Sequence, residues 1–345
     1  MSNIEPDPSE QLCGEDEPTQ GLEIIDHREV PLGGPRAMQV RRTLPARGRT
    51  MIGPWCFVDH YGPDDVSETG GMNVPPHPHT GLQTVSWLFT GRIDHEDSAG
   101  HKATVTPGSI NLMTAGRGIS HTEYSTADTT VLHGAQLWLA LPDASRDTDP
   151  GFEAYTPEPL SGEDWDLRVF LGEFAGQRSP VHSFHPVLGA ELVVDATEHT
   201  VEVEFDLNED FEHGVLLDEG KTLIQVDPDE GGPRGVLKTA QLTHIAPGAR
   251  TVKFRVPQGE QMILLILGGT PFGEQITMWW NFVGRSHDEI VAYRDAWQSA
   301  IDADDAPTVE DADPHGRFPS VVVDSHDDGA LPAPTLPNVR LKPRP

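Results

Sequence analysis

Two short pairs of side chains in the first half of this 345-residue chain have the types and spacing for metal chemistry: His77-Pro78-His79 and His121-Thr122-Glu123. On an extended segment side chains repeat every second residue, so each pair presents both of its donors on one face. The second pair follows the first by about forty residues. On neighbouring inward-facing strands the two would bring three imidazole nitrogens and one carboxylate oxygen to a single ion, with one or two coordination positions left open. Such a donor set suits Fe(II), Mn, Ni, Cu or Zn, and the ligands alone do not choose among them. An isolated His-x-His is more often a solvated loop. Two matched pairs in a Gly- and Pro-rich β context argue for metal.

The segments that must position these residues read as short strands. Thr84–Phe89 runs to a stop at Gly91 and Leu137–Leu141 to a stop at Pro142. Beyond a turn-rich stretch, 142–165, a second series follows: 190–195, 200–205, 222–226, 252–256 and 262–267. Val201, Val203 and Phe205 alternate with charged neighbours, the period of a half-buried strand. The absence of long helical segments between strands argues for barrels or sandwiches over a parallel βαβ sheet. One helix is expected from Ser286, where Ser-His-Asp-Glu is a capping box and Ile290, Tyr293, Trp297 and Ile301 share one face. Other polar residues carry less. Asp59 and His60 suggest a buried hydrogen-bonded turn beneath the site, and Asp94-His95-Glu96-Asp97 a solvated charge cluster in a hairpin turn. His133 and Gln136 either face the pocket or satisfy backbone groups, and Gly116-Arg117-Gly118 reads as a tight turn bringing His121 inward.

The runs HPHTGLQTVSWLFTGRIDHEDSAG and MTAGRGISHTE, with DHYGP before them, resemble the pirin family of bicupins. The likeness is close over the first half. It is looser over the second, where Gly268-Gly269-Thr270-Pro271 and Met278–Val283 carry it. The resemblance implies an all-β fold of two stacked cupin (jelly-roll) barrels with a C-terminal helix. Together with the composition and turn signals, it divides the chain into a disordered acidic tail (1–20), a metal-binding N-terminal barrel (21–145), a linker (146–165), a metal-free C-terminal barrel (166–285), and a helix with an extended tail (286–345). It also implies a mononuclear ion, Fe(II) in this family, on His77, His79, His121 and Glu123. Several pirins resemble quercetin 2,3-dioxygenases, which implies an iron-dependent oxidoreductase acting with dioxygen on a flavonol-like or other enolic phenol. Glu123 would then double as catalytic base. The alternative is a non-catalytic, iron-dependent redox sensor that binds a protein partner. In two places the chain departs from the family. Gln83 stands where pirins commonly have Glu, which should leave coordination intact and remove a charge from the pocket. The second half has no His-x-His, so no second metal site is expected there.

Composition narrows the partners. Against 24 basic residues stand 55 acidic ones, a net charge of -31, and only five of the basic residues are Lys. Nucleic acids and anionic membranes are bound through clustered Lys and Arg, so neither is expected as a direct partner. Cys13 and Cys56, the two cysteines, are too few for a disulfide framework and read as free thiols. The first twenty residues have no signal-peptide core, and the longest apolar run, 262–267, is far short of the ~20 residues of a membrane helix. The expectation is a soluble, cytoplasmic protein.

Overall fold

A computed structural model describes residues 21–32, 38–304, 306–307, 313–322, 326 and 329–344. The acidic segment 1–20, Cys13 included, lies outside the described residues. Alternation builds the strands. In Val201–Asp206 the three apolar residues are buried and the three acidic ones exposed, as their spacing predicts. The protein is built of two β-barrels, each a seven-stranded sheet closed by a four-stranded one. In the first barrel the larger sheet runs in the order 151–155, 110–114, 82–90, 131–140, 55–65, 38–44, 28–32, and the smaller one 73–79, 119–125, 93–97, 102–105. The second barrel repeats the plan, with 23–25, 242–245, 212–219, 260–269, 187–196, 165–171, 160–162 facing 201–206, 251–256, 221–226, 234–238.

The core follows from this doubling. One apolar cluster fills the second barrel, including Leu192, Val203, Phe254 and Leu264. Another lies between the two large sheets and draws on both barrels: Trp55, Val85, Trp87 and Leu137 meet Phe170, Leu216, Leu265 and Leu267. The two buried indoles at this seam are paired. The Trp55 indole donates to the carbonyls of Leu188 and Gly268, and the Trp87 indole donates to Glu191.

The structure differs from the sequence expectation in two places here. The turn-rich stretch read as a linker contributes a strand to each barrel: Gly151–Tyr155 pairs with Ile110–Thr114, and Leu160–Gly162 pairs with Trp165–Leu171. Conversely, Glu23–Ile25 crosses over to pair with Leu242–Ile245 of the second barrel. Edge strands are short and take whichever partner satisfies their backbone, so composition alone places them poorly.

The helix His287–Ala300 is capped by Ser286, whose hydroxyl accepts from the Glu289 amide. Ile290, Tyr293 and Trp297 bury one face with Phe282 and Phe318. Among the described residues, no helix is long and apolar enough to cross a membrane.

Gly81 shows how tightly the chain after the second barrel is pressed onto the first. Its φ is +69°, and an added Cβ would lie 2.1 Å from the carbonyl oxygen of Val283. Gly81→Ala is expected to destabilise the protein by about 2 kcal/mol or more, since neither the backbone conformation nor the space admits a methyl. A lowered urea midpoint at unchanged m would register it.

Candidate metal centre

His77 and His79 end the strand Asn73–His79, and His121 lies on the neighbouring strand Ile119–Ser125. The register sets His121 directly opposite His77. Antiparallel pairing brings facing side chains within contact distance. The three rings accordingly meet, with centroids 4.3 Å apart for His77–His121 and 5.0 Å for both His77–His79 and His79–His121. One donor atom from each lies within 4.8 Å of the others, and all three residues are buried.

The protonation pattern fits lone pairs turned toward a common centre. The His77 Nδ1–H donates to the Pro75 carbonyl at 2.9 Å; a carbonyl can only accept, so Nε2 keeps its lone pair. His121 Nδ1 contacts His95 Nδ1 at 3.3 Å, while His121 Nε2 is buried with no hydrogen-bond partner. An orphaned buried nitrogen is costly unless something accepts its lone pair. Burial pushes His77 down to about 4, and burial together with its neighbouring imidazoles drives His121 well below the ordinary histidine value. His79 is likewise driven down by burial and by His77, against the pull of the Asn281 backbone. At neutral pH all three are uncharged, as metal ligands must be.

Glu123 is placed differently. It lines the same cavity, but it is not part of the three-imidazole group. The strand register shifts between His121 and Glu123, so that Glu123 faces Val74. Burial raises its pKa, while His95 and a hydrogen bond from Ser86 work the other way. The cavity, about 300 Å³, is walled by Arg42, Phe57 and Trp138 from the first barrel and by Trp280, Asn281 and Leu331 from beyond the second. Phe57 and Trp138 are stacked 4.0 Å apart. The Arg42 guanidinium lies 4.2 Å over Phe57 while gripping Asp59 through two bonds of 2.6 and 2.7 Å.

Several sequence expectations need correction. Asp59 and His60 lie on the strand Trp55–Asp65, not in a turn. Asp94–Asp97 belongs to the strand Ile93–Asp97, with His95 and Asp97 buried rather than solvated. His95 is therefore the residue of the centre that sequence reasoning missed: it touches His121 and stacks on Phe152 at 4.9 Å. The buried alternation Ile93, His95, Asp97 was the available signal. Gln136 does face the cavity, whereas Gln83 turns away to Thr114 (3.0 Å) and the His182 carbonyl (3.4 Å), so no charge has been removed from the pocket.

His133 belongs to a second cluster, with His60 and Asp218, which joins the barrels. Asp218 Oδ1 accepts from His133 Nε2 at 2.8 Å and from His60 Nε2. Arg41 Nη2 lies 3.2 Å from His60 Nε2. This guanidinium already supplies the positive charge that a metal would bring, so the geometry is that of an ion-paired latch. A cavity of about 890 Å³ in the second barrel is larger than the metal-site cavity, but His213 is the only histidine among its inner, buried lining residues, and no donor group converges there among the described residues.

Comparison with known proteins agrees with this arrangement. The pirin family model matches residues 37–139 and the pirin C-terminal cupin domain model matches 193–301. A Pseudomonas aeruginosa protein, named provisionally as a quercetin 2,3-dioxygenase, is 38% identical over 278 residues, which cover 80% of this chain and 84% of that protein. The crystal structure of a quercetin 2,3-dioxygenase from Acinetobacter baumannii superposes with a TM-score of 0.77 at 33% identity, covering 93% of this chain and 97% of that one. A bacterial pirin from Escherichia coli in complex with nickel(II), 16% identical with a TM-score of 0.55 over 72% of this chain and 99% of its own, shares the fold. With both barrels matched by their own family models and the histidines gathered inside the first, the chain belongs to the pirin family.

Proposed function

We propose that this protein is an iron-dependent dioxygenase of the quercetin 2,3-dioxygenase type, acting on enolic phenols in the cavity of the first barrel. The observation that carries the reading is the convergence of three uncharged imidazoles, two of which, His77 and His79, line a cavity with aromatic walls. The names of the similar Pseudomonas and Acinetobacter proteins support the reaction type. His77, His79 and His121 would hold the ion, and Glu123 would complete the site. A redox-active ion there supplies Lewis acidity toward an enolic oxygen and a path for electrons between substrate and dioxygen.

The chain's own residues do the rest. Trp138, stacked on Phe57, offers its ring at the cavity wall to a phenolic substrate. Arg42, fixed by Asp59, places a cation at the cavity wall, where an enolate would be favoured. The Glu123 carboxylate, its pKa raised by burial, accepts the substrate hydroxyl proton. Its position apart from the three nitrogens suits this role.

Anaerobic reconstitution with Fe(II), followed by oxygen-electrode measurements with quercetin and smaller enolic phenols, tests the reading. Substrate-dependent oxygen uptake that is lost in Glu123→Gln is expected. No uptake across the panel, combined with capture of a protein partner that depends on iron oxidation state, would favour the redox sensor instead. His95 provides a further check, because it orients His121 from behind. His95→Phe keeps a ring against Phe152 but removes the nitrogen, and should weaken metal retention by about 10- to 100-fold in competition with a chelator.

A further inference from the structure

The cavity of the first barrel is closed by a hairpin that belongs to neither barrel sheet. Thr277–Trp279 and Phe282–Gly284 pair as a two-stranded ribbon, and its two-residue tip, Trp280-Asn281, lines the cavity beside His77, His79 and Glu123. Trp280 has a φ of +52°. At the first position of a two-residue hairpin turn, positive φ is ordinarily the place of glycine. A bulky aromatic residue there is an outlier, and strained backbone of this kind concentrates at functional sites.

The ribbon is held on both sides of that tip. The Val283 amide donates to the Thr80 carbonyl at 3.1 Å, one residue beyond His79, and Gly81 admits the Val283 carbonyl where a side chain would stand. On the other side Phe282 is fully buried against Tyr293 and Trp297 of the helix. The ring of Trp280 sits at 5.4 Å from Phe282 in edge contact. A well-anchored ribbon thus presents one half-buried tryptophan to the cavity that Phe57, Trp138, His77 and His79 also line.

We propose that Trp280 is a specificity-determining residue of this site: its indole is the second wall of a slot for a planar aryl ring and limits how many fused rings enter. This rests on the reading of the cavity as a phenol site. The test uses the full chain loaded with Zn(II), which does not turn over, and measures binding of 4-nitrocatechol and quercetin by equilibrium dialysis. Relative to wild type, Trp280→Phe should bind both within about 3-fold, and Trp280→Ala should lose about 10-fold on the one-ring probe, the worth of an aromatic contact. Trp280→Ala should also narrow the preference for the smaller probe, with zinc content unchanged. Trp280→Gly, which accepts the positive φ without strain, should behave like Trp280→Ala. Wild-type affinity in the glycine variant, or unaltered affinity and preference in the alanine variant, overturns the assignment while leaving the phenol reading intact. If wild-type protein binds neither probe, the phenol reading fails and this assignment falls with it.

Discussion

Replacement of His121 by alanine is expected to take the transition metal carried by the purified protein from about one equivalent per chain to a small fraction of that, an affinity loss beyond the ~100-fold typical even of outer-shell changes. The His121 ring lies against both His77 and His79, and without it two imidazoles 5.0 Å apart must hold the ion with only a carboxylate outside their group. The fold should survive. His121 Nε2 makes no hydrogen bond that would be lost, and the surrounding strands are paired through their backbones. Metal analysis of the two proteins, with circular dichroism as the control for folding, decides the matter. Full metal content in the variant would place the ion elsewhere.

The second large effect concerns the latch between the barrels. Asp218→Ala is expected to cost about 3 kcal/mol, because it strands the buried imidazole donors of His60 and His133 without their acceptor. The same cluster sets a direction for pH. Burial alone would raise Asp218, but its bonds from His133 and His60 outweigh that and hold it below the ordinary aspartate value. Burial lowers His60 below the ordinary histidine value, despite Asp218. Both folded-state values are depressed. The stability each contributes is therefore present above the unfolded-state value and lost as pH falls through the folded one. Acidification below the unfolded histidine value, about 6.5, should first erode the His60 contribution, and further acidification below about 3.9 that of Asp218. Below about 3.9, urea midpoints should fall less steeply in Asp218→Ala than in wild type, because the variant lacks the carboxylate whose protonation costs stability there, while the His60 step remains. Parallel profiles would show that the cluster does not couple protons to folding.

What the sequence made legible follows from how local each signal is. His77-x-His79 and His121-x-Glu123 declare themselves because two residues of an extended chain share a face whatever the rest of the molecule does. The helix from Ser286 was legible for the same reason, cap and apolar stripe lying within four turns. His95 was obscured by its own neighbours, since Asp-His-Glu-Asp has the composition of a turn while its alternation is that of a strand. The latch could not be read at all: Asp218 stands 158 positions from His60 and 85 from His133, and only the stacking of two barrels brings them together. Glu123 shows a subtler limit. Its spacing from His121 predicts a donor on the same face, but the register slips between the two residues, and Glu123 lines the cavity outside the three-imidazole group.

The strand Glu23–Ile25 has a consequence for how the molecule comes into being. It leaves the ribosome early, yet the edge it completes is made by Leu242–Ile245, and the Thr243 hydroxyl that donates to the Glu23 carbonyl lies 220 positions downstream. The opening of the chain must wait, unpaired, until most of the rest has been synthesised. Once seated, it threads the two halves into a single body. A protease cut near residue 160 would therefore release no independent half, and expressing the first half alone would leave its first strand without a sheet to join.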